Sequence, residues 1–257
     1  MILQRLTQSI REQDWFTVLI EVLIVVVGIL VGLQVNNWNE HRKSLAWEQR
    51  FLNDLATEFL SNREQLWQVL KLQKARGAAF DEIADLLLTG KDAELLTKVE
   101  ACYSLAMSSN RTFFPTKGVY LSALSTGSIE DVRNTNLRYA VMDIYERTYP
   151  RLVYNGEIYD ERSDQVSWDG RQNYDPRGRS QMSLEYVQSP GYAANVRFLS
   201  EQNRIYLGLA QSTLTELDAA IEQLPDPSAT TGAEAVPLSR VNASAALRCW
   251  QSSQALQ

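Results

Sequence analysis

The chain has 257 residues, enough for one or two domains with a substantial core. Its charged fraction of 22% and hydrophobic fraction of 45% are those of an ordinary globular protein. A net charge of −6 argues against a nucleic-acid binder, and a single histidine, His41, against a histidine-built metal site.

Residues 1–14 read as an interfacial amphipathic helix, with Ile2, Leu3, Leu6 and Ile10 on one side and Arg5, Gln8, Arg11 and Glu12 elsewhere. Residues 15–38 follow as a transmembrane helix. From Phe16 to Val35 only Thr17, Glu21 and Gln34 are clearly polar. A hydrocarbon core about 30 Å thick needs about 20 helical residues. Trp15 and Trp38 bracket the run, where indoles favour the headgroup level. The apolar stretch is too long for a cleaved signal peptide, and "LQVNNWNE" offers no small-x-small cleavage site, so the span is expected to be retained.

Glu21 is the intramembrane polar residue. One reading has it snorkel to the headgroups or stay protonated; another gives it a polar partner on a packed helix or a place around a pore. Gly28 and Gly32 form a GxxxG, which lets two backbones approach closely, so a homo-oligomer is expected. Arg5 and Arg11 precede the span, and Arg42, Lys43 and Arg50 follow it. That count slightly favours a cytoplasmic second flank, but a single N-terminal span inserts in either orientation.

Residues 39–225 read as a helical extramembrane domain. Trp38, Leu45, Leu52, Phe59 and Leu66 recur every seven residues, with Leu55 and Val69 three positions later and Ala56 and Leu70 four later. This stalk seam is heptad-like, and Glu48 and Asn62 interrupt it. It suits either one long helix of a monomeric bundle or a coiled-coil stalk that oligomerises. Gly77 is the first breaker, and a helix from about 78 to 89 follows with Phe80, Ile83, Ala84, Leu87 and Leu88 as its core face. Further helices are expected over about 92–108, over Thr116–Leu124, from an Asn136 cap to about 154, and over about 193–224 up to Pro225. The last should pack antiparallel to the stalk helix.

Residues 155–190, rich in Asp, Gly, Arg and Ser, read as an exposed loop. Its Asp160, Glu161, Asp164 and Asp169 lack the spacing of a calcium loop, and its aromatics Trp168, Tyr174 and Tyr186 read as packed onto the bundle or as a binding surface. Residues 226–257 read as a flexible tail. Cys102 and Cys249 are a candidate disulfide if they meet an oxidising compartment; otherwise the first is a buried thiol and the second an exposed one.

Two stretches resemble a known family. "IREQDWFTVLIEVLIVVVGILVGLQVNNWNEHR" is similar to the N-terminal signature of an uncharacterised bacterial family of single-span proteins, described only by a domain of unknown function. "GVYLSALSTGSIEDVRNTNLRYAVMDIYE", with its Ser-Thr-Gly turn and following Asn-x-x-Leu-Arg, resembles it more loosely. The resemblance implies a bacterial inner-membrane protein with the bulk of the chain in the periplasm, and it implies no activity.

No phosphate loop, GxGxxG after a strand, HExxH or G-x-S-x-G occurs. No cofactor or metal is expected, and the sequence favours a non-enzyme. The expected fold is all-α: one transmembrane helix continuing into a stalk helix and an extramembrane bundle. The expected function is a membrane-anchored, self-associating scaffold or sensor. Its partners would be the lipid bilayer, further copies of itself and an unidentified protein, and no nucleic acid. The rival reading is a subunit of an oligomeric channel or motor-like assembly with Glu21 facing the axis.

Overall fold

A computed structural model describes residues 15–89, 92–107, 112–172 and 182–225 of the chain. The amphipathic stretch 2–13, the tail 226–257, Cys249 and Tyr174 lie outside the described residues. The fold is all-α, and no strand occurs among the described residues. Helix α1 runs unbroken over Trp15–Thr89. Then come α2 (Asp92–Met107), α3 (Gly118–Ser125), a 3-10 turn (Ser128–Asp131) and α4 (Thr135–Asp143). A π turn (Ile144–Thr148) leads directly into α5 (Tyr149–Gln172), followed by α6 (Leu184–Val187) and α7 (Pro190–Ile221).

The chain divides into two units, Met1–Phe51 and Leu52–Gln257. The described part of the first is a stretch of α1. Its window of strongest hydropathy averages 2.4, and α1 is long and apolar enough to cross a membrane. Every large apolar side chain from Leu19 to Val35 is 39–63% exposed.

The second unit is a helical bundle. Along α1 the buried residues Leu55, Phe59, Leu66, Val69, Phe80 and Ile83 keep the three-four spacing of one helical face. The ion pair Arg63–Asp218 and the hydrogen bond from Asn203 to Gln73 pair rising numbers on α1 with falling numbers on α7. The two helices are therefore antiparallel, as the sequence predicts. Ser189 caps α7 by accepting from the Tyr192 N–H, and Pro190 fits the first turn because its missing N–H would lack a helical partner.

Four sequence expectations are corrected. Gly77 does not break α1: a Cβ there would stand 3.0 Å from Asn203 Oδ1, so glycine admits a neighbouring side chain. The face beyond it is rotated, with Ala79, Phe80, Ile83 and Leu86 buried, Ala84 exposed and Leu88 fully at the surface. The cap of α4 is Asn134, which accepts from the Leu137 N–H, rather than Asn136. Residues 155–172 are not a loop but most of α5, because Tyr159, Ser163, Val166 and Ser167 bury one stripe against the bundle.

Candidate functional site

Within the first unit, Glu21, Gly28 and Gly32 lie exposed on α1, and a Cβ at either glycine would meet nothing within 4 Å. At 3.6 residues per turn both glycines fall within about 20° of Glu21, so the acid and the small residues share one helical face. Below them Trp38 is exposed with the Arg42 guanidinium 5.0 Å from its ring centre, and the Asn36 amide donates to Glu40 at 2.8 Å. The predicted seam divides by burial. Trp38 is exposed, Leu45 and Leu52 are half-buried, and Phe59 and Leu66 are buried in the chain's own bundle. His41 is exposed.

In the second unit the polar residues that interrupt the apolar stripe of α1 are buried and bonded. Asn62 donates to the Thr116 carbonyl and accepts from the Thr116 N–H, both at 2.8 Å. One turn earlier, Glu58 accepts from the Val119 N–H at 3.0 Å and from the Tyr145 hydroxyl. Together they hold the first turn of α3 and the residues just before it, where Phe113 N–H donates to Tyr206 on α7 and Thr112 to Asp160 on α5. Burial pushes the Asp160 carboxyl above its ordinary range, against the opposing pull of that Thr112 bond.

Arg76 is fully buried. Its guanidinium donates to the Ala106 carbonyl near the end of α2, to Gln73 and to Ser163, and lies 4.5 Å from the Tyr159 ring centre. A cation at a helix C-terminus meets the negative end of the helix dipole. Desolvation lowers its pKa while Tyr159 and Asp160 raise it. Asn203 closes the network by donating to Gln73 at 2.9 Å and to the Tyr159 hydroxyl at 3.2 Å.

The π turn lies between two carboxylates. Tyr145 reaches inward to Glu58, and Thr148 donates to Glu216 on α7 at 2.6 Å. π turns are rare and cluster at functional sites. Around this one, Tyr145 stacks on Tyr120 at 4.3 Å between ring centres and meets Tyr149 edge-on at 5.3 Å. Burial raises the hydroxyl pKa of Tyr145 and Tyr149 and, aided by Glu146, pushes that of Tyr120 up to about 12.

A shallow cleft, open to solvent, lies beside the π turn. From the turn and α5 it takes Arg147, Thr148, Arg151 and Leu152; from α7 it takes Leu209, Ser212 and Glu216. Arg147 is held by both oxygens of Asp143, one turn back. Sequence reasoning missed this cleft: Arg147, Arg151, Ser212 and Glu216 look like solvated helix faces, and only the packing of α5 on α7 brings them together.

Cys102 is buried, and Cys249, the other cysteine of the chain, lies outside the described residues. Trp168 is exposed on α5, and Tyr186 packs edge-on to Tyr192 at 5.3 Å.

A family model described as "Family of unknown function (DUF6090)" matches residues 21–176, more than half of the chain. The match takes in Glu21, both glycines, Arg76, the π turn and all of α5. No curated protein and no solved structure matches the chain.

Proposed function

The chain belongs to the DUF6090 family, a family of unknown function, and on that premise we propose that it is a membrane-anchored helical scaffold or sensor that self-associates and has no catalytic role. One observation carries the anchoring. Thirteen large apolar side chains between Leu19 and Val35 stand 39–63% exposed, with no part of the chain over them among the described residues. Leaving them in water instead of lipid would cost on the order of 10–20 kcal/mol. That rivals the whole stability of a domain, so a bilayer is the cover their chemistry demands.

Self-association is supported by the common face of Glu21, Gly28 and Gly32. The glycines admit a second helix at short range, and a second helix gives the acid a polar neighbour. The reading places the bulk of the chain in the periplasm and its N-terminus in the cytoplasm of a bacterial inner membrane, an oxidising setting in which Cys102 and Cys249 would be able to pair. The same Glu21 face supports a second reading, an oligomeric channel or motor-like assembly with the acid on its axis.

Chemical crosslinking of the intact chain in native membranes tests the proposal. A ladder of discrete oligomers that collapses in a Gly28→Leu/Gly32→Leu variant is the expected result. A strictly monomeric chain would overturn self-association. A phosphatase reporter fused after Gln257 should be active, and an inactive fusion would reverse the orientation. The channel reading requires an ion flux that Glu21→Gln abolishes.

A further inference from the structure

The apolar stretch of α1 ends on a cation that the chain leaves uncompensated. Val35 is the last large aliphatic residue of the exposed run, and Trp38 and Arg42 follow it. Those two lie one turn apart and within about 40° on one helical face. Trp38 is exposed, and the Arg42 guanidinium stands 5.0 Å from its ring centre. Among the described residues Arg42 makes no ion pair and no hydrogen bond. Glu40, the acid nearest in sequence, lies about 160° round the helix from Arg42. Its carboxylate takes the Asn36 amide at 2.8 Å. Lys43 is exposed as well, so this turn of α1 carries two cations against one carboxylate.

Direction decides where the Arg42 charge goes. Cα–Cβ bonds tilt toward a helix N-terminus, and from Arg42 that direction leads past Trp38 to the apolar run. The stacking on Trp38 shows the guanidinium lying back along the helix in this sense. A long basic side chain at the end of a span runs along apolar surface and keeps its charge among the headgroups. Indoles favour the same layer. From Trp38 to Arg42 the helix rises about 6 Å, and a headgroup layer is roughly 5–8 Å deep. With one face on the indole, the guanidinium keeps its N–H edge for an acceptor. Its fork matches two oxygens of a phosphodiester.

We propose that Trp38 and Arg42 bind the phosphate of an anionic phospholipid. Arg42 takes two phosphate oxygens, Trp38 holds the plane of the guanidinium, and Lys43 adds to the attraction. The proposal rests on the anchored reading of α1. An anionic headgroup is favoured over a zwitterionic one, which carries its own cation, because Arg42 and Lys43 outnumber Glu40. A lipid held so fixes the depth of the span and draws the chain to anionic lipid.

Native mass spectrometry tests this on the intact chain released from nanodiscs of phosphatidylcholine and phosphatidylglycerol in equal parts. Retained phosphatidylglycerol should outnumber phosphatidylcholine about fivefold or more. Arg42→Gln should cut that preference about fivefold, and Arg42→Lys by less, since the charge stays and the fork goes. Trp38→Leu should cut it about twofold although no charge changes. Should that variant not insert, Trp38→Phe replaces it and should retain part of the preference. Lys71→Gln, which takes a cation off Trp67 in the second unit, should leave it unchanged. Inorganic phosphate should not displace the lipid. Equal retention of the two lipids overturns the proposal. So does an inserted Arg42→Gln or tryptophan variant that retains lipid as the parent does, or displacement by inorganic phosphate, which marks a free-anion site. A chain that never enters the nanodisc overturns the anchoring and this proposal with it, whereas entry without lipid preference overturns this proposal alone.

Discussion

Two stretches of the same helix, Leu19–Val35 and Leu55–Leu86, treat their large apolar side chains in opposite ways: the first, almost wholly apolar, leaves them exposed, and the second, interspersed with polar residues, buries most of its sparser set. In the first, exposure is uniform around the helix and the one acid, Glu21, shares a face with two glycines. In the second, one stripe is buried and the polar residues within it are bonded to named partners: Asn62 to Thr116, Glu58 to Val119 and Tyr145, Arg76 to Ala106 and Ser163. Uniform apolarity calls for a featureless solvent such as lipid. A stripe with satisfied polar interruptions calls for one particular set of neighbours, since an unpaired buried polar group costs far more than a missing contact.

The largest effect that sharpens this contrast is at Arg76. Truncation by Arg76→Ala removes a fully buried side chain and strands the Ala106 carbonyl. It should lower unfolding stability by about 3–5 kcal/mol in denaturant titration. A loss below about 1 kcal/mol would mean that water replaces the guanidinium freely. Asn62→Leu comes next. It perfects the heptad-like stripe on paper, yet should destabilise by about 2 kcal/mol because both backbone groups of Thr116 lose their partner. A stabilised variant would show the stripe to be a coiled-coil seam after all.

The glycines of the bundle helices separate packing from propensity. A Cβ at Gly156 would fall 2.8 Å from the Thr112 Cβ, and one at Gly170 2.6 Å from the Tyr103 hydroxyl. Gly156→Ala should destabilise by about 1–3 kcal/mol through overpacking. Gly208→Ala on α7, where nothing lies within 4 Å, should stabilise by about 0.5–1 kcal/mol. Thermal unfolding of the two variants side by side reads the difference.

Much of the architecture was legible in the sequence: a first helix long and apolar enough to cross a membrane, the stripe on α1, the 92–107 helix and the antiparallel return of α7. What misled the reading was composition. Gly77, Gly156 and Gly170 look like breakers, but each stands where another side chain crosses closely, and sequence does not reveal what crosses. The charged run after Asn155 looks like a loop because its buried stripe uses Tyr159, Ser163 and Ser167 instead of aliphatics. Arg76 looks like a surface cation until α2 and α5 close over it. The cleft was illegible because each wall alone is an ordinary solvated face.

Alkaline pH should loosen the bundle by a smaller and graded effect. Buried Tyr120, Tyr145, Tyr149, Tyr192 and Tyr206 all have folded-state pKa values raised by burial, Tyr120 to about 12. The unfolded chain therefore releases protons first, and stability, intact below about pH 10, should fall as pH rises beyond it. Tyrosinate absorbance should grow together with the loss of helical dichroism, and ionisation that ran ahead of unfolding would contradict the burial. The smallest effect should be at the exposed Arg63–Asp218 pair, where Arg63→Ala should change stability by no more than about 1 kcal/mol.

The most direct measurement is extraction of membranes carrying the intact chain with alkaline carbonate. If Leu19–Val35 lies across the bilayer, the chain stays in the pellet and appears in the supernatant only with detergent. Quantitative release by carbonate alone, into a monodisperse detergent-free solution, would contradict the account.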